Sequence, residues 1–207
     1  MPLNYSVISA SAATLTAVML CLSSASALAD DLDCEKTVRE LMTKTDVPVP
    51  VRYQATTEMS GQKIENSGIT ETAKRSMTMD ANGVPVSLFV DGKFYTSSDK
   101  GESWELRHTY SAEELKLQSD GVKWQSDNAK NIVCEFNIEL DGKSVHHYSV
   151  DFPLQNTKIF THSEYWADVE TGFVWKALTV SEAGGTKVTI TQHLQPDPEA
   201  KVPVPED

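Results

Sequence analysis

The segment from Tyr165 to Leu194 constrains the fold more than any other, because it predicts two long β-strands joined at Gly184-Gly185. Alternation along the first strand places apolar residues on both of its faces, with Phe173, Trp175 and Ala177 opposite Val174, Leu178 and Val180. A strand with one face in water alternates between apolar and polar residues instead. Both faces are therefore expected to be covered, by a helix, by another part of the chain or by a ligand.

Residues 1–29 predict a cleaved secretory signal peptide. They carry no charged side chain, and an apolar run from Ala10 to Leu22 leads to the Ala27-x-Ala29 pattern of a signal-peptidase site. A membrane anchor is the alternative, although a bilayer span needs roughly 20 apolar residues. No later segment is apolar enough to span a bilayer. The mature chain would therefore be periplasmic or secreted.

The remaining chain predicts a single β-rich domain over residues 30–195. One helix is expected from Asp31 to Thr45, since apolar residues recur there at helical spacing and Pro48 prevents its continuation. Residues 196–207 are rich in proline and acidic residues, which predicts a disordered tail. The formal net charge of −12 makes nucleic acid and anionic membrane surfaces poor partners.

Two cysteines, Cys34 and Cys134, would remain in the mature chain after Cys21 leaves with the signal peptide. An even number of cysteines in an oxidising compartment predicts a disulfide. Two buried free thiols are the alternative. A bridge would attach the N-terminal helix to the strand that carries Cys134.

Between residues 49 and 194 the hydropathy pattern has mostly the period of two that is typical of strands. Asp91-Gly92 and Asp141-Gly142 predict tight hairpin turns. Ser111 and Glu114 resemble a capping box, which predicts a short helix or an irregular excursion before Asp120-Gly121. The fold class is therefore α+β and mainly antiparallel β, with about nine to eleven strands and one N-terminal helix.

The sequence contains no recognisable catalytic motif. His146 and His147 are adjacent in a predicted strand and point to opposite faces, so they are poorly placed to share a metal ion. His146 with His162, or His147 with His193, could approach each other across strands, but no spacing requires it. We therefore expect no enzyme activity, no catalytic residue, no metal site and no cofactor.

The predicted strands carry a surplus of aromatic residues that could line an apolar cavity. The candidate lining residues are Phe173, Trp175 and Ala177, supported by Trp104 and Tyr148. An ordinary packed core is the alternative. A single curved sheet with one short helix has two faces and only one cover, which leaves room for a cavity beside the helix.

Several short motifs also suggest a family. They are Asp91-Gly92-Lys93-x-Tyr95, Gly101-x-x-Trp104 and, late in the chain, Trp166, Lys176 and the D-x-x-T-G sequence of residues 168–172. Together with a secreted chain that opens on a helix, these motifs resemble the periplasmic lipoprotein-carrier superfamily, the LolA/LolB-like proteins. The resemblance implies that the strands form a strongly curved half-barrel packed on the N-terminal helix, with helices closing it over a cavity for acyl chains. It also implies a Gram-negative bacterium as the source. No residue matches the buried arginine of the carriers, and the two cysteines are not part of their pattern.

These observations predict an exported, non-enzymatic protein that holds a lipid or a lipoprotein acyl chain in an apolar concave cavity. The alternative is a periplasmic protein-interaction or structural module with a dry core and no ligand.

Overall fold

The computed structural model describes residues 34–44, 47–155, 157 and 159–205. The predicted signal peptide and the first residues of the predicted N-terminal helix lie outside these ranges. Within them, no helix is both long and apolar enough to cross a membrane.

Eleven antiparallel strands form one curved, unclosed sheet, which confirms the predicted fold class. The sheet order is β6-β5-β4-β3-β2-β1-β11-β10-β9-β8-β7, so β6 and β7 are its edges. In chain order the strands are β1 Val51–Met59, β2 Gln62–Thr72, β3 Arg75–Met79, β4 Pro85–Val90, β5 Lys93–Thr96, β6 Glu105–Thr109, β7 Lys130–Leu140, β8 Lys143–Pro153, β9 Phe160–Asp168, β10 Val174–Ala183 and β11 Thr186–Pro196.

Both predicted Asp-Gly turns join neighbouring strands. Asp91 and Gly92 have φ angles of 49° and 84°, and Asp141 and Gly142 have φ angles of 51° and 77°. Positive φ at both central residues matches the right-handed twist of the paired strands. The turns therefore set the register of the β4–β5 and β7–β8 hairpins.

Two helices are present in the described residues, whereas the sequence predicted one N-terminal helix and, from Ser111, either a short helix or an irregular excursion. Helix α1 comprises residues 34–43, and helix α2 (Ala112–Asp127) is 16 residues long. Helix α2 continues through Gly121, which costs only about 1 kcal/mol relative to alanine. The predicted capping box and two ion pairs between residues four apart, Lys116–Asp120 and Lys123–Asp127, favour the longer helix.

The sheet has an inner face, which the helices cover, and an outer face on the opposite side. An unbroken row of cross-strand partners lies on the inner face: Tyr148, Tyr165, Ala177, Gln192 and Ala55. The side chains of α1 pack on this face. The buried residues of this inner cluster are Val38, Ala129, Tyr148, Val150, Phe152 and Ala167.

A second core lies on the outer face, at the other side of the sheet. Val51 of β1 lies on the inner face, so the next residue, Arg52, points to the outer face. Ile69 is the cross-strand partner of Arg52 and therefore also lies on the outer face. The buried residues of this outer cluster are Ile69, Met77, Leu88, Val90, Tyr95, Ala200 and Val202. The molecule therefore buries apolar surface on both faces of one sheet.

The C-terminal segment, residues 197–205, covers the outer cluster, whereas the sequence predicted a disordered tail over residues 196–207. Ala200 and Val202 are only 1% and 5% exposed. The structure differs from the prediction because the outer face of β2–β5 supplies an apolar surface that the composition of the tail does not reveal. Residues 206–207 lie outside the described ranges.

The predicted disulfide between Cys34 and Cys134 is present and joins α1 to β7. Its Cα atoms are 6.0 Å apart, within the usual range for a bridge. The bond holds the first turn of α1 over the inner face.

Candidate functional site

Helix α2 connects the two edge strands and crosses the inner face of the sheet. At its N-terminal end, the Glu114 backbone N–H donates to Ser111 Oγ at 3.2 Å, and the Ser111 backbone N–H donates to Glu114 Oε2 at 2.7 Å. This backbone hydrogen bond from Ser111 holds the pKa of the Glu114 carboxyl below its ordinary value. His108 of β6 lies 3.3 Å from the same carboxylate, so this end of the helix is fixed beside β6.

The C-terminal end of α2 is attached to α1. The Arg39 guanidinium donates to the backbone carbonyl of Ser126, and the Ser126 hydroxyl donates to the carbonyl of Arg39 at 3.3 Å. The Asn128 backbone N–H and side-chain amide both donate to the carbonyl of Trp124. Helix α2 is therefore anchored at both of its ends.

The middle of α2 stands away from the sheet and leaves a cleft of about 610 Å³. The helix contributes Leu115, Gln118, Ser119 and Val122 to the cleft, a spacing that places them on one side of the helix. The sheet contributes the Phe89 side chain from β4 and the adjacent residue Ala73, and Thr43 and Lys123 complete the lining. The volume is within the range of small-molecule binding sites.

The centre of the inner face is polar, in contrast to the cleft. Ser163 and Thr179 form a hydroxyl pair at 3.1 Å, and Thr161 and Ser181 form another at 2.9 Å. Thr161 and Ser163 are 3% and 1% exposed. Because these hydroxyls are hydrogen-bonded to one another, they do not require a ligand to satisfy them.

Exposed apolar side chains reappear beyond this polar strip, near the tips of the β1–β2 and β10–β11 hairpins. Met59 and Ile64 are 41% and 53% exposed, and the register places Val188 and Ile190 on the same face. The inner face thus has two accessible apolar areas, one under α2 and one at these hairpin tips.

A β-bulge in β10 changes the faces that simple alternation assigns to its residues. Val174 is the partner of Ala167 and Lys176 is the partner of Trp166, so one extra residue lies between them. The bulge places Val174 on the inner face and Leu178 on the outer face. The prediction that Phe173 and Trp175 share a face with Ala177 is therefore wrong.

Phe173 and Trp175 pack together on the outer face, with ring centroids 4.8 Å apart. The Trp175 indole N–H donates to Asp168 Oδ2 at 3.3 Å, and Lys143 Nζ lies 4.1 Å from the Trp175 ring centroid. Both aromatic rings therefore have partners on the side of the sheet opposite the helices.

The five predicted lining residues lie in three separate places. Ala177 and Tyr148 are on the inner face, where Tyr148 is buried in the inner cluster and burial raises the pKa of its hydroxyl. Trp104 packs against the outer cluster, and Phe173 and Trp175 form the outer pair. None of the five lines the cleft under α2.

The D-x-x-T-G sequence forms the turn between β9 and β10. Asp168 Oδ1 accepts hydrogen bonds from the Thr171 backbone N–H at 2.9 Å and from its hydroxyl at 2.8 Å. The backbone bond from Thr171 holds the pKa of the Asp168 carboxyl below its ordinary value. Gly172 has a φ angle of +66°, which favours glycine. The motif is thus a structural turn whose aspartate also contacts Trp175.

Histidines and carboxylates form a chain on the outer face of β7–β9. His147 Nδ1 and Nε2 lie 2.8 and 2.7 Å from Glu135 and Glu164, and His162 Nδ1 lies 2.7 Å from Asp151. In the described part of the chain, no group of three or more His, Cys, Asp or Glu side chains is arranged to hold a metal ion. His146 contacts the Phe136 ring and does not join His162.

The cleft was not identified from the sequence, although one signal was available. Leu115 and Val122 are seven residues apart and follow a capping box, which is the spacing of one helical face. Phe89 could not be connected with them, because only the folded sheet brings β4 under α2.

Comparisons with known proteins find distant structural similarity. No protein-family model and no curated protein matches the sequence. Mycobacterium tuberculosis lipoprotein LppX matches with 12% identity and a TM-score of 0.46, over 78% of this chain and 94% of LppX.

Two structures of MucB give similar values. A MucB crystal structure matches with 14% identity and a TM-score of 0.46, over 84% of this chain and 61% of the MucB chain. The Pseudomonas aeruginosa MucA/MucB complex matches with 13% identity and a TM-score of 0.46, over 80% of this chain and 58% of the matched chain. At such low similarity no ligand or activity is transferred to this chain.

Proposed function

We propose that this chain is an exported, non-enzymatic protein that holds a hydrophobic ligand, such as a lipid or an acyl chain, in the cleft under α2. The observation that carries the proposal is the cleft itself, which separates the middle of α2 from the sheet and has Leu115, Val122 and Phe89 in its lining. Because α2 is anchored at both ends and open beneath its centre, a ligand can enter the cleft while both attachments of the helix stay intact.

Ligand binding in the cleft is favoured by the burial of apolar surface. Val122 is 37% exposed, although it lies on the side of α2 that faces the sheet. Covering such surface contributes roughly 25 cal/mol for each Å² removed from water. Lys123 at the edge of the cleft could face the polar end of an amphiphilic ligand.

The polar strip on the inner face limits where the apolar part of a ligand can lie. Thr161 and Ser163 are already buried and pair their hydroxyls with Ser181 and Thr179, so an acyl chain over this strip would remove little apolar surface from water. We therefore place the acyl chain under α2 rather than across the centre of the sheet. Ala177 lies beside this strip and remains a predicted ligand contact.

The alternative function, docking of a partner strand at a sheet edge, has less support at β7. Its register shifts twice, and Asn131 and Asn137 have positive φ angles of 51° and 57°. Such bulges interrupt the regular backbone ladder that a partner strand needs. We therefore rank strand addition at the β7 edge below ligand binding in the cleft under α2.

The experiment compares Leu115→Asp with Leu117→Asp in the full-length protein. Leu115 lines the cleft, whereas Leu117 on the same helix is 64% exposed and lies outside it. Native mass spectrometry of protein taken directly from the exporting host should show a bound ligand in the wild type and in Leu117→Asp, and loss of it in Leu115→Asp. A wild-type protein that carries no ligand and binds no added fatty acid would contradict the proposal.

A further inference from the structure

The C-terminal segment lies in a channel on the outer face, remote from the cleft under α2. Ala200 and Val202 are buried in the outer cluster, whereas Lys201 between them is exposed. Alternate residues of an extended chain point in opposite directions, so this spacing is that of an extended peptide. Residues 197–205 nevertheless belong to no strand of the sheet.

The segment is held by two polar anchors. At one end, the Asp197 backbone N–H donates to the carbonyl of Pro50 at 2.8 Å, and the Asp197 carboxylate pairs with Arg52. At the other end, the Val202 backbone N–H donates to Glu71 Oε2 at 3.0 Å. The second anchor is a side chain rather than a strand backbone, so the ladder of β2 does not depend on it.

Two apolar side chains and one hydrogen bond to Glu71 thus define what the channel recognises. The exposed Lys201 adds only a solvent-screened ion pair with the same carboxylate, at 3.5 Å. The bond to Glu71 requires only a backbone N–H, which any residue except proline supplies. The two buried positions require a small residue and, two residues later, a β-branched aliphatic residue. Pro203 follows and biases Val202 towards the extended backbone. These are the features by which extended peptides are bound, with pockets for alternate side chains.

We propose that this channel is a binding site for an extended segment of a partner protein, and that the C-terminal segment occupies it when the partner is absent. The partner segment presents a small residue followed two positions later by valine or isoleucine, and its backbone N–H replaces that of Val202 at Glu71. Binding displaces residues 200–205 and leaves the eleven-stranded sheet intact. The inference is independent of the ligand proposed for the cleft.

The test uses full-length Val202→Asp, which should release the segment, and Val204→Asp as its matched control. Val204 is 56% exposed and should tolerate the same substitution. The probe is a fluorescein-labelled synthetic peptide with the sequence of residues 196–207. We expect the peptide to bind Val202→Asp with 1:1 stoichiometry and at least about tenfold more tightly than the wild type or Val204→Asp.

Equal peptide affinity for all three proteins would overturn the proposal, as would absence of binding to folded Val202→Asp. If Val202→Asp does not fold, hydrogen exchange of the wild-type protein tests the proposal instead. The Val202 amide should exchange at least about tenfold faster than the Ile69 amide, because the segment opens without the sheet. Equal protection of the two amides from exchange would contradict the proposal, because it would show that the C-terminal segment opens only together with the sheet. Concentration-dependent dimerisation of the wild type that Val202→Asp abolishes would assign the channel to a second copy of this chain and contradict the partner peptide.

Discussion

The inner cluster on β8 and β9 lies under α1, whereas the outer cluster on β2–β5 lies under the C-terminal segment on the opposite face. Each buried cluster therefore has one tightly packed cover, and these two covers lie on opposite faces of the sheet. The inner cluster is attached to its helix by a disulfide, and the outer cluster is attached to its segment by polar contacts.

This difference explains where the molecule has accessible surface. Since β2–β5 already have a core on the outer face, α2 is not needed to cover them, and it can cross above Phe89 without packing tightly. On β8 and β9 the buried cluster lies on the inner face instead, and the outer face carries the paired histidines and carboxylates. The cleft under α2 and the polar outer surface of β8 and β9 therefore both result from covers that lie on opposite faces of the sheet.

The largest expected effect is loss of the disulfide, which tests whether the inner cover depends on its covalent bond. Cys34 and Cys134 are separated by 100 residues, and the chain-entropy model assigns about 4–5 kcal/mol to such a bridge. Urea unfolding with reductant should show a loss of this order. The double variant Cys34→Ser with Cys134→Ser should be equally weakened and insensitive to reductant. A loss below about 1 kcal/mol would show that packing alone holds α1.

Truncation of one buried residue in each cluster tests whether the two halves form one cooperative unit. Leu88 is 1% exposed and Val150 is completely buried. Leu88→Ala should lower the free energy of unfolding by about 2–5 kcal/mol, and Val150→Ala by somewhat less. The exposed Leu117→Ala is the control, with an effect within about 0.5 kcal/mol. Two separate transitions in either variant would divide the sheet into independent halves.

A smaller loss is expected at the β9–β10 turn. Asp168→Ala removes the acceptor for the Thr171 backbone N–H and for the Trp175 indole. We expect the Tm to fall by a few degrees and the tryptophan fluorescence to shift towards that of a water-exposed indole, a shift that should be absent when Trp175 is first replaced by phenylalanine. Asp141→Ala, in the β7–β8 turn, provides a comparison. Unchanged tryptophan fluorescence would contradict the role of Asp168 in orienting Trp175.

The smallest expected effect is a pH dependence of the outer cover. The hydrogen bond from the Val202 backbone N–H holds the pKa of the Glu71 carboxyl below its ordinary value, with a further contribution from Lys201. Because the folded-state pKa is lower than the unfolded-state pKa, Glu71 stabilises the fold above its unfolded-state pKa. This contribution is lost as the pH falls through the folded-state pKa.

The wild type should therefore lose more stability between about pH 5 and pH 3 than Glu71→Gln does. Urea unfolding at both pH values measures the difference between the two proteins. Identical pH dependence would show that the contact between Glu71 and the C-terminal segment does not contribute to folding.

The strands and turns could be predicted because their signals are local. Alternation along β8 and the Asp141-Gly142 pair determine a hairpin without information from the rest of the chain. The face assignments of β10 could not be predicted, because a single bulge between Val174 and Lys176 exchanges the two sides. Alternation extended through that point placed Trp175 on the wrong face.

The two covers were also beyond local reasoning. The C-terminal segment has the composition of a disordered tail, and its order depends on partners such as Ile69 and Leu88 that are distant in sequence. The cleft depends in the same way on contact between Phe89 and α2. The disulfide was predicted from cysteine count and compartment alone, since these do not require knowledge of the fold.

The most direct test of ligand binding under α2 is a titration with a fluorescent fatty acid. Ser119 lines the cleft and Leu117 does not, so Ser119→Trp should fill the cleft while Leu117→Trp leaves it open. We predict saturable 1:1 binding by the wild type and Leu117→Trp, and affinity at least about tenfold weaker for Ser119→Trp. Equal affinity in all three proteins would contradict a ligand site under α2.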